Sequence, residues 1–322
     1  ITARFGVDAN NAKKNVTWDL HRPANKFAAA NTEVLFSVTD RFGLASAFAT
    51  GTPPAAVGTQ VMRQVVPFFS NSTILTPDGK PGTVPGTVEF DLGTLYGRGI
   101  GRCRATNYSQ YTIWDDPKDF RHDTASGNWM TMEKLVYNNP AIKGVSPFYG
   151  KPLQLRDATG KLLITNNDTI RNWYSWPHYK VYIEDAIRLP YQGGNSDWYV
   201  FRLAETYLLR AEAHFFKGNN TAALADINTV RTRAGCSPYT AKTITIGDIL
   251  DERARELFYE EPRKTELARM AFQMAKGGKS YNGKTYNVAD FAKNNFFYDR
   301  IIEQNNFYGG KVKNIRNDTY TM

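Results

Sequence analysis

Glu252 and Glu256 stand four residues apart in the run DERARE, so a helix would put both carboxyl groups on one face, where they could offer an acid and a nucleophile to a glycosidic bond. The same run holds Arg253 and Arg255, with Arg263 soon after, and these cations favour structural ion pairs over a catalytic pair. Arg202, Glu205, Arg210 and Glu212 repeat the mixture and are expected to tie helices to their neighbours. Other catalytic chemistries lack their parts. His21, His122, His178 and His214 are dispersed, with no HExxH or HxH spacing, and Cys103 and Cys236 form neither a CxxC knuckle nor a disulfide framework. There is no GxSxG elbow or Walker loop, and Gly97, Gly99 and Gly101 lack the final glycine of a dinucleotide fingerprint. His122, beside Arg121, is expected to be structural. No catalytic residue, metal or cofactor is assigned, and the chain is not expected to be an enzyme.

Sugar binding without catalysis needs flat apolar rings to cover pyranose C–H faces, with amides or charged groups to take the hydroxyls. Candidate rings are Phe42, Phe48 and Phe68, then Trp114 and Trp129, then Trp173 and Trp176 in the cluster NWYSWPHY at residues 172–179. Asp40 and Arg41 immediately precede Phe42, and a ring beside two charged groups suits polyol recognition.

Two textures position these residues. Residues 1–192 are rich in Gly, Pro, Asn, Thr and aromatics, with short apolar runs at 34–38 and 161–165, which predicts short strands and long loops. After Asp197 the apolar residues recur at helical spacing. One helix is expected over 197–217, closed by Gly218, and a second from Asn220 to Gly235, with Tyr207, Ala211, Ala223, Ile227 and Val230 inside the hairpin. A third should follow Thr245 and carry Ile249, Leu250, Leu257 and Phe258 inward to a break near Pro262; a fourth spans 264–276, and an aromatic-rich fifth lies within 288–307. The hairpin fits the loose pattern of one tetratricopeptide (TPR) repeat, and a lone repeat needs cover, here expected from residues outside the chain.

With 322 residues, 19 Phe and 18 Tyr, the chain can bury a large core. Its net charge of +9 is dispersed, the densest short cluster being Arg98, Arg102 and Arg104 in GRGIGRCR. Nucleic-acid binding is not expected, because the RRM and C2H2 signatures are absent. No run approaches the roughly twenty apolar residues of a membrane span.

RLAETYLLRAEA at 202–213, Gly218 with Asn219, and DINTVRTRAG at 226–235 together resemble the signature of the SusD/RagB family. DERARELFYEEPR at 251–263, leading to ELAR at 266–269, resembles its glutamate-arginine helix, departing at Pro262 and Glu266, where the family usually has Gly and Asp. NTEVLFS at 31–37, DFRH at 119–122 and Asn128 with Trp129 resemble upstream segments. The ordered match, over residues 31–269, implies a mainly α, SusD-like fold: a TPR-type helical hairpin scaffold with long irregular loops and a few short strands. It implies a single domain over 1–322, truncated at both ends, in which 1–192 is the loop-rich ligand face and 193–322 the scaffold.

The resemblance further implies a non-catalytic, surface-exposed outer-membrane lipoprotein of Bacteroidetes. Such a protein would bind glycan or another nutrient for a SusC-like TonB-dependent transporter in polysaccharide utilization. The lipid anchor is expected to lie outside this chain, and Asp123-Thr-Ala and Asp168-Thr-Ile fit the short O-glycosylation pattern of exported proteins. The rivals are a TPR-type adaptor for protein partners and a secreted glycoside hydrolase.

Overall fold

The computed structural model describes residues 1–41, 59–69, 73–86, 89–186, 189–191 and 193–304. Two compact units emerge, Ile1–Arg104 with Phe120–Val200, and Ala105–Asp119 with Phe201–Met322. Regular structure is mainly helical, with short strands only.

In the first unit the helices are brief: α1 Val16–His21, α2 Val61–Val65, α3 Leu92–Tyr96, α4 Thr169–Asn172 and α5 His178–Val181. Strand β1 is Val34–Val38, as the apolar run predicts; β2 Trp129–Met130 and β3 Trp176–Pro177 form an antiparallel pair, with Met130 opposite Trp176. Residues 161–165 give isolated bridges only, Leu162 to Arg156 and Ile164 to Ile74.

So little ladder leaves many buried peptide groups to satisfy. Buried asparagines take that part. Asn138 Oδ1 accepts from Val84 N at 3.0 Å, while its amide donates to Val84 O at 3.1 Å and Phe90 O at 2.9 Å. Asn25 accepts from Val7 N and donates to the carbonyls of Phe5 and Asp19, and Asn128 donates to Phe120 O and to Asn15 Oδ1. One side chain with an acceptor and two donors closes a loop that would otherwise need a neighbouring strand.

Aromatic and cationic groups stack beside α1 and α5. The Trp18 ring lies 5.9 Å from Tyr182 and 5.8 Å from His178, with Lys14 Nζ 3.5 Å from its centroid, and its indole N–H donates to Asp8. His178 is buried there, and burial, aided by the charges of Lys14 and Arg22, pulls its pKa down to about 3.

Strand β4, Trp198–Arg202, leads into helix α6, Leu203–Phe216, of the second unit. The helix expected over 197–217 thus starts six residues late, because the run WYVFR is aromatic and β-branched and adopts the extended form such residues prefer. Helix α7, Asn220–Arg233, completes the hairpin, with the Asn219 side chain capping Ala222 N at 3.1 Å. Gly218, at φ +74°, turns the chain, and Asn219 N returns to His214 O at 2.9 Å. Ala211, Ala223, Ile227 and Val230 are buried at the contact, and Tyr207 packs at its edge.

The hairpin finds its cover within the chain, contrary to the expectation that cover would come from outside. Helix α8, Ile246–Glu256, opens on a capping box of Thr245 and Asp248; α9, Arg263–Lys276, and α10, Phe296–Gln304, follow. Ile246, Ile249, Leu250, Met270, Met274 and Phe296 join Leu208 and Ile227 in one core. Each such side chain contributes about 1.5–3 kcal/mol on burial. Leu257 is buried as predicted, while Phe258 is only partly so, its ring edge-on to Tyr259 at 4.6 Å. A two-residue hairpin, β5 Ser280–Tyr281 and β6 Lys284–Thr285, separates α9 from α10.

Charges fill the remaining sides of α8. Glu252 meets Arg255 at 2.9 Å and Arg231 at 3.4 Å; Glu256 meets Arg202 at 2.5 Å and also Arg233; Arg253 meets Glu261 at 2.8 Å and Glu266 at 3.3 Å. Arg300, from α10, holds Asp251, with Tyr108 donating to the same carboxylate. Among the described residues no helix is long and apolar enough to cross a membrane.

Two outcomes are expected. Glu252→Ala removes the buried counter-ion shared by Arg231 and Arg255, leaving them only the part-exposed Asp115, and should cost about 3 kcal/mol in urea unfolding, whereas Lys143→Ala, at the exposed pair with Glu89, should leave the midpoint unchanged. Because the folded-state pKa of His178 lies below the ordinary value of 6.5, its contribution is present above that pH and lost as pH falls toward about 3. Unfolding free energy should therefore drop in that window by roughly 1.4 kcal/mol per pH unit from this group, and His178→Phe should remove that part of the slope in paired urea titrations.

Candidate functional site

The loop after β1 and the segment before β4 come together through charge. Arg41 clamps Asp197, its Nη2 2.6 Å from Oδ2 and its Nε 3.0 Å from Oδ1, and Asp40 N donates to the same Oδ1 at 3.1 Å. Asp40 accepts in turn from the Asn195 amide at 2.6 Å. Asp197 is buried and Arg41 keeps 39% of its side chain exposed, so the guanidinium lies at the surface with one edge committed. Its other partner is the Phe27 ring, 4.1 Å beneath it and itself 51% exposed. Phe27, Asn195 and Asp197 carry no motif that marks them as partners here, because the pairs span 14 to more than 150 residues. Asp197, expected to start a helix, instead precedes β4.

A second group forms around α4. Asp168 caps the helix by accepting from Arg171 N at 2.9 Å, and Arg171 then lies over the Phe68 ring at 4.4 Å. Phe68 N donates to Arg171 O at 3.1 Å, and Phe68 O accepts from the Asn172 amide. Trp173, at the far end of the helix, donates its indole N–H to Glu133 at 3.2 Å. Both rings are partly exposed. A partly exposed ring held by a cation, and another held by a carboxylate at the end of α4, can each stack on a sugar with a charged group at hand for its hydroxyls.

Other candidate rings have different places. Trp129 and Trp176 are fully buried on β2 and β3, a pair covered on both faces, and they serve the core of the first unit and not its surface. Trp114 belongs to the second unit, partly exposed, its N–H donating to Ser109 O at 3.0 Å. Phe42 and Phe48 lie outside the described residues. Among the described candidates, Asp40 and Arg41 share the Asp197 carboxylate, Phe68 packs under Arg171 of α4, and Trp173 stands at the end of that helix.

Glu252 and Glu256 are both buried, and each carboxylate faces two arginines. They serve as counter-ions. His122 packs its ring against Trp129 at 4.6 Å. Among the described residues no group of three or more His, Cys, Asp or Glu is arranged to hold a metal ion.

The model of the SusD family matches residues 105–309. The chain belongs to the SusD family. Over 75 residues, 23% of this chain, it is 44% identical to the starch-binding protein SusD of Bacteroides thetaiotaomicron, of which that stretch is 13%. A solved SusD superfamily protein from Bacteroides fragilis aligns over 81% of this chain and 45% of its own, at 17% identity and a TM-score of 0.45. A surface glycan-binding protein A from Bacteroides thetaiotaomicron, in complex with laminarihexaose, aligns over 89% of this chain and 51% of its own, at 17% identity and a TM-score of 0.43. The chain thus spans about half the length of these two solved proteins and matches a much smaller share of SusD itself. The family match takes in the TPR-type hairpin of α6 and α7 and the charged helix α8, the two features on which the sequence resemblance rested.

The Arg41 clamp carries a prediction of its own. Asp197→Ala should free the Asp40 amide and accelerate its hydrogen exchange roughly ten- to hundredfold, the cost of a charge-assisted bond of about 1.5–3 kcal/mol, while amides of α7 keep their wild-type protection.

Proposed function

We propose that this chain is the glycan-holding part of a non-catalytic receptor at the outer-membrane surface, passing oligosaccharide to a SusC-like TonB-dependent transporter. Membership of the SusD family carries the proposal, and the starch-binding character of the relative that it matches supports carbohydrate as the ligand class. The chemistry fits. Phe68 and Trp173 offer apolar faces, Arg171 and Glu133 stand beside them as hydroxyl partners, and Arg41 over Phe27, with Asp40 at its side, offers a second contact of the same kind.

Binding by this route requires no proton transfer. Each ring displaces water from the C–H face of a pyranose, and the neighbouring charged group replaces a hydroxyl's lost water bond. Because each contact is modest, affinity comes from several rings engaging one chain, and release to a transporter stays fast.

In calorimetric titrations with neutral α- and β-glucan oligosaccharides, Phe68→Ala and Trp173→Ala should each weaken binding about tenfold, as loss of a stacked ring does. Unchanged affinity in both would remove the α4 platform from the site. For the delivery step, the full-length receptor purified from native membranes should bring a TonB-dependent barrel with it, and its repeated absence would count against a transporter partner.

A further inference from the structure

Five arginines of the first unit meet along one short stretch. Residues 98–103 run beside α2 and the segment after it: Ile100 N donates to Arg63 O at 2.9 Å, Gly101 N to Val66 O at 3.0 Å and Arg102 N to Gln64 O at 2.8 Å. From the other side Arg171 Nε donates to Ile100 O at 2.7 Å. Glycine makes this approach possible. A Cβ on Gly99 would sit 2.2 Å from Pro67 O, and one on Gly101, which has φ +60°, would sit 2.3 Å from Arg171 O. In GRGIGRCR the glycines therefore take the close contacts, and Arg98, Arg102 and Arg104 are brought onto the same stretch as Arg63 and Arg171.

These arginines differ from most others among the described residues. Arg4, Arg22, Arg41, Arg202, Arg231, Arg253 and Arg300 all face carboxylates, whereas among the described residues Arg63, Arg98, Arg102, Arg104 and Arg171 have no ion pair. The Nε atoms of Arg63 and Arg98 are buried with no hydrogen-bond partner, and two guanidinium groups lie over rings, Arg171 on Phe68 and Arg104 on Tyr174 at 5.6 Å. Concentrated like charge costs folding energy through self-repulsion unless an anion offsets it. Planar guanidinium groups bind carboxylate and sulfate oxygens in pairs, and a neutral sugar would leave most of that capacity unused.

We infer that this arginine strip, continuous with the Phe68 platform, binds the acidic group of a carboxylated or sulfated glycan. The inference rests on the glycan-binding proposal and narrows its ligand class. A sugar ring would lie on Phe68 while its carboxylate or sulfate turned toward Arg102 and Arg104.

The test is calorimetry on the intact chain with tetragalacturonate, a heparin tetrasaccharide, maltoheptaose, and oligodeoxythymidine of equal charge. Tighter binding of either acidic sugar than of maltoheptaose is expected, with affinity falling as salt rises; the better of the two identifies carboxylate or sulfate as the preferred group. The double variant Arg102→Gln, Arg104→Gln should then lose at least tenfold for that sugar and keep its affinity for maltoheptaose. Binding of maltoheptaose alone would overturn the acidic-group inference and leave glycan binding standing, while binding of no sugar would overturn both. Equal binding of oligodeoxythymidine, or an acidic sugar indifferent to the double variant, would show a non-selective basic surface or another location and would overturn the inference.

Discussion

Charge pairing around α8 is the constraint on which the second unit depends. Ile246, Ile249 and Leu250 anchor the helix in the core, yet Glu252, Arg253, Arg255 and Glu256 are buried too, so no side of its last turns faces water freely. Burying four ions on one helix is tolerable only if partners arrive from elsewhere, and they do: Arg231 and Arg233 from α7, Arg202 from the end of β4, Glu261 from the turn before α9 and Glu266 from α9 itself. The apolar core supplies most of the stabilisation. The ions fix which helix meets which, since a shifted register would leave a buried charge alone.

The first unit solves a different problem with different residues. Its chain turns too often to form long ladders, so asparagine side chains and stacked rings take over much of what strands do elsewhere. Asn138 serves two separate peptide segments, and Trp18 stands among Lys14, His178 and Tyr182. The result is a loop-built body whose order comes from many small side-chain contacts.

This contrast explains what could be read in advance. The helical scaffold was legible because its signals are local: Gly218 and Thr245 mark helix ends, and Ala211, Ala223 and Ile227 keep helical spacing. The boundary at Arg202 was not, because the apolar run of WYVFR can also be read as the start of the helical pattern that follows, and a distant carboxylate takes the Arg202 side chain. The mixture of Glu and Arg announced ion pairs, although their partners depend on which helices touch. Among the candidate rings, sequence could not separate Trp176, which is buried, from Trp173, which is partly exposed three residues earlier, since both have the same composition around them and only the β2–β3 pairing distinguishes them. The arginine cluster was visible, but the close approach that gathers Arg63 and Arg171 to it was not.

The asparagine clamps have a consequence for change. Where a loop is held by a neighbouring strand, altering its length shifts a register and disturbs every residue along it. A loop tied at single points, as at Asn25, Asn128 and Asn138, can be lengthened or rewritten between its ties while the peptide groups at the ties keep their partners. Such a surface is modular. New recognition loops could be grafted between the anchors of the first unit without touching the ion-paired helix that organises the second.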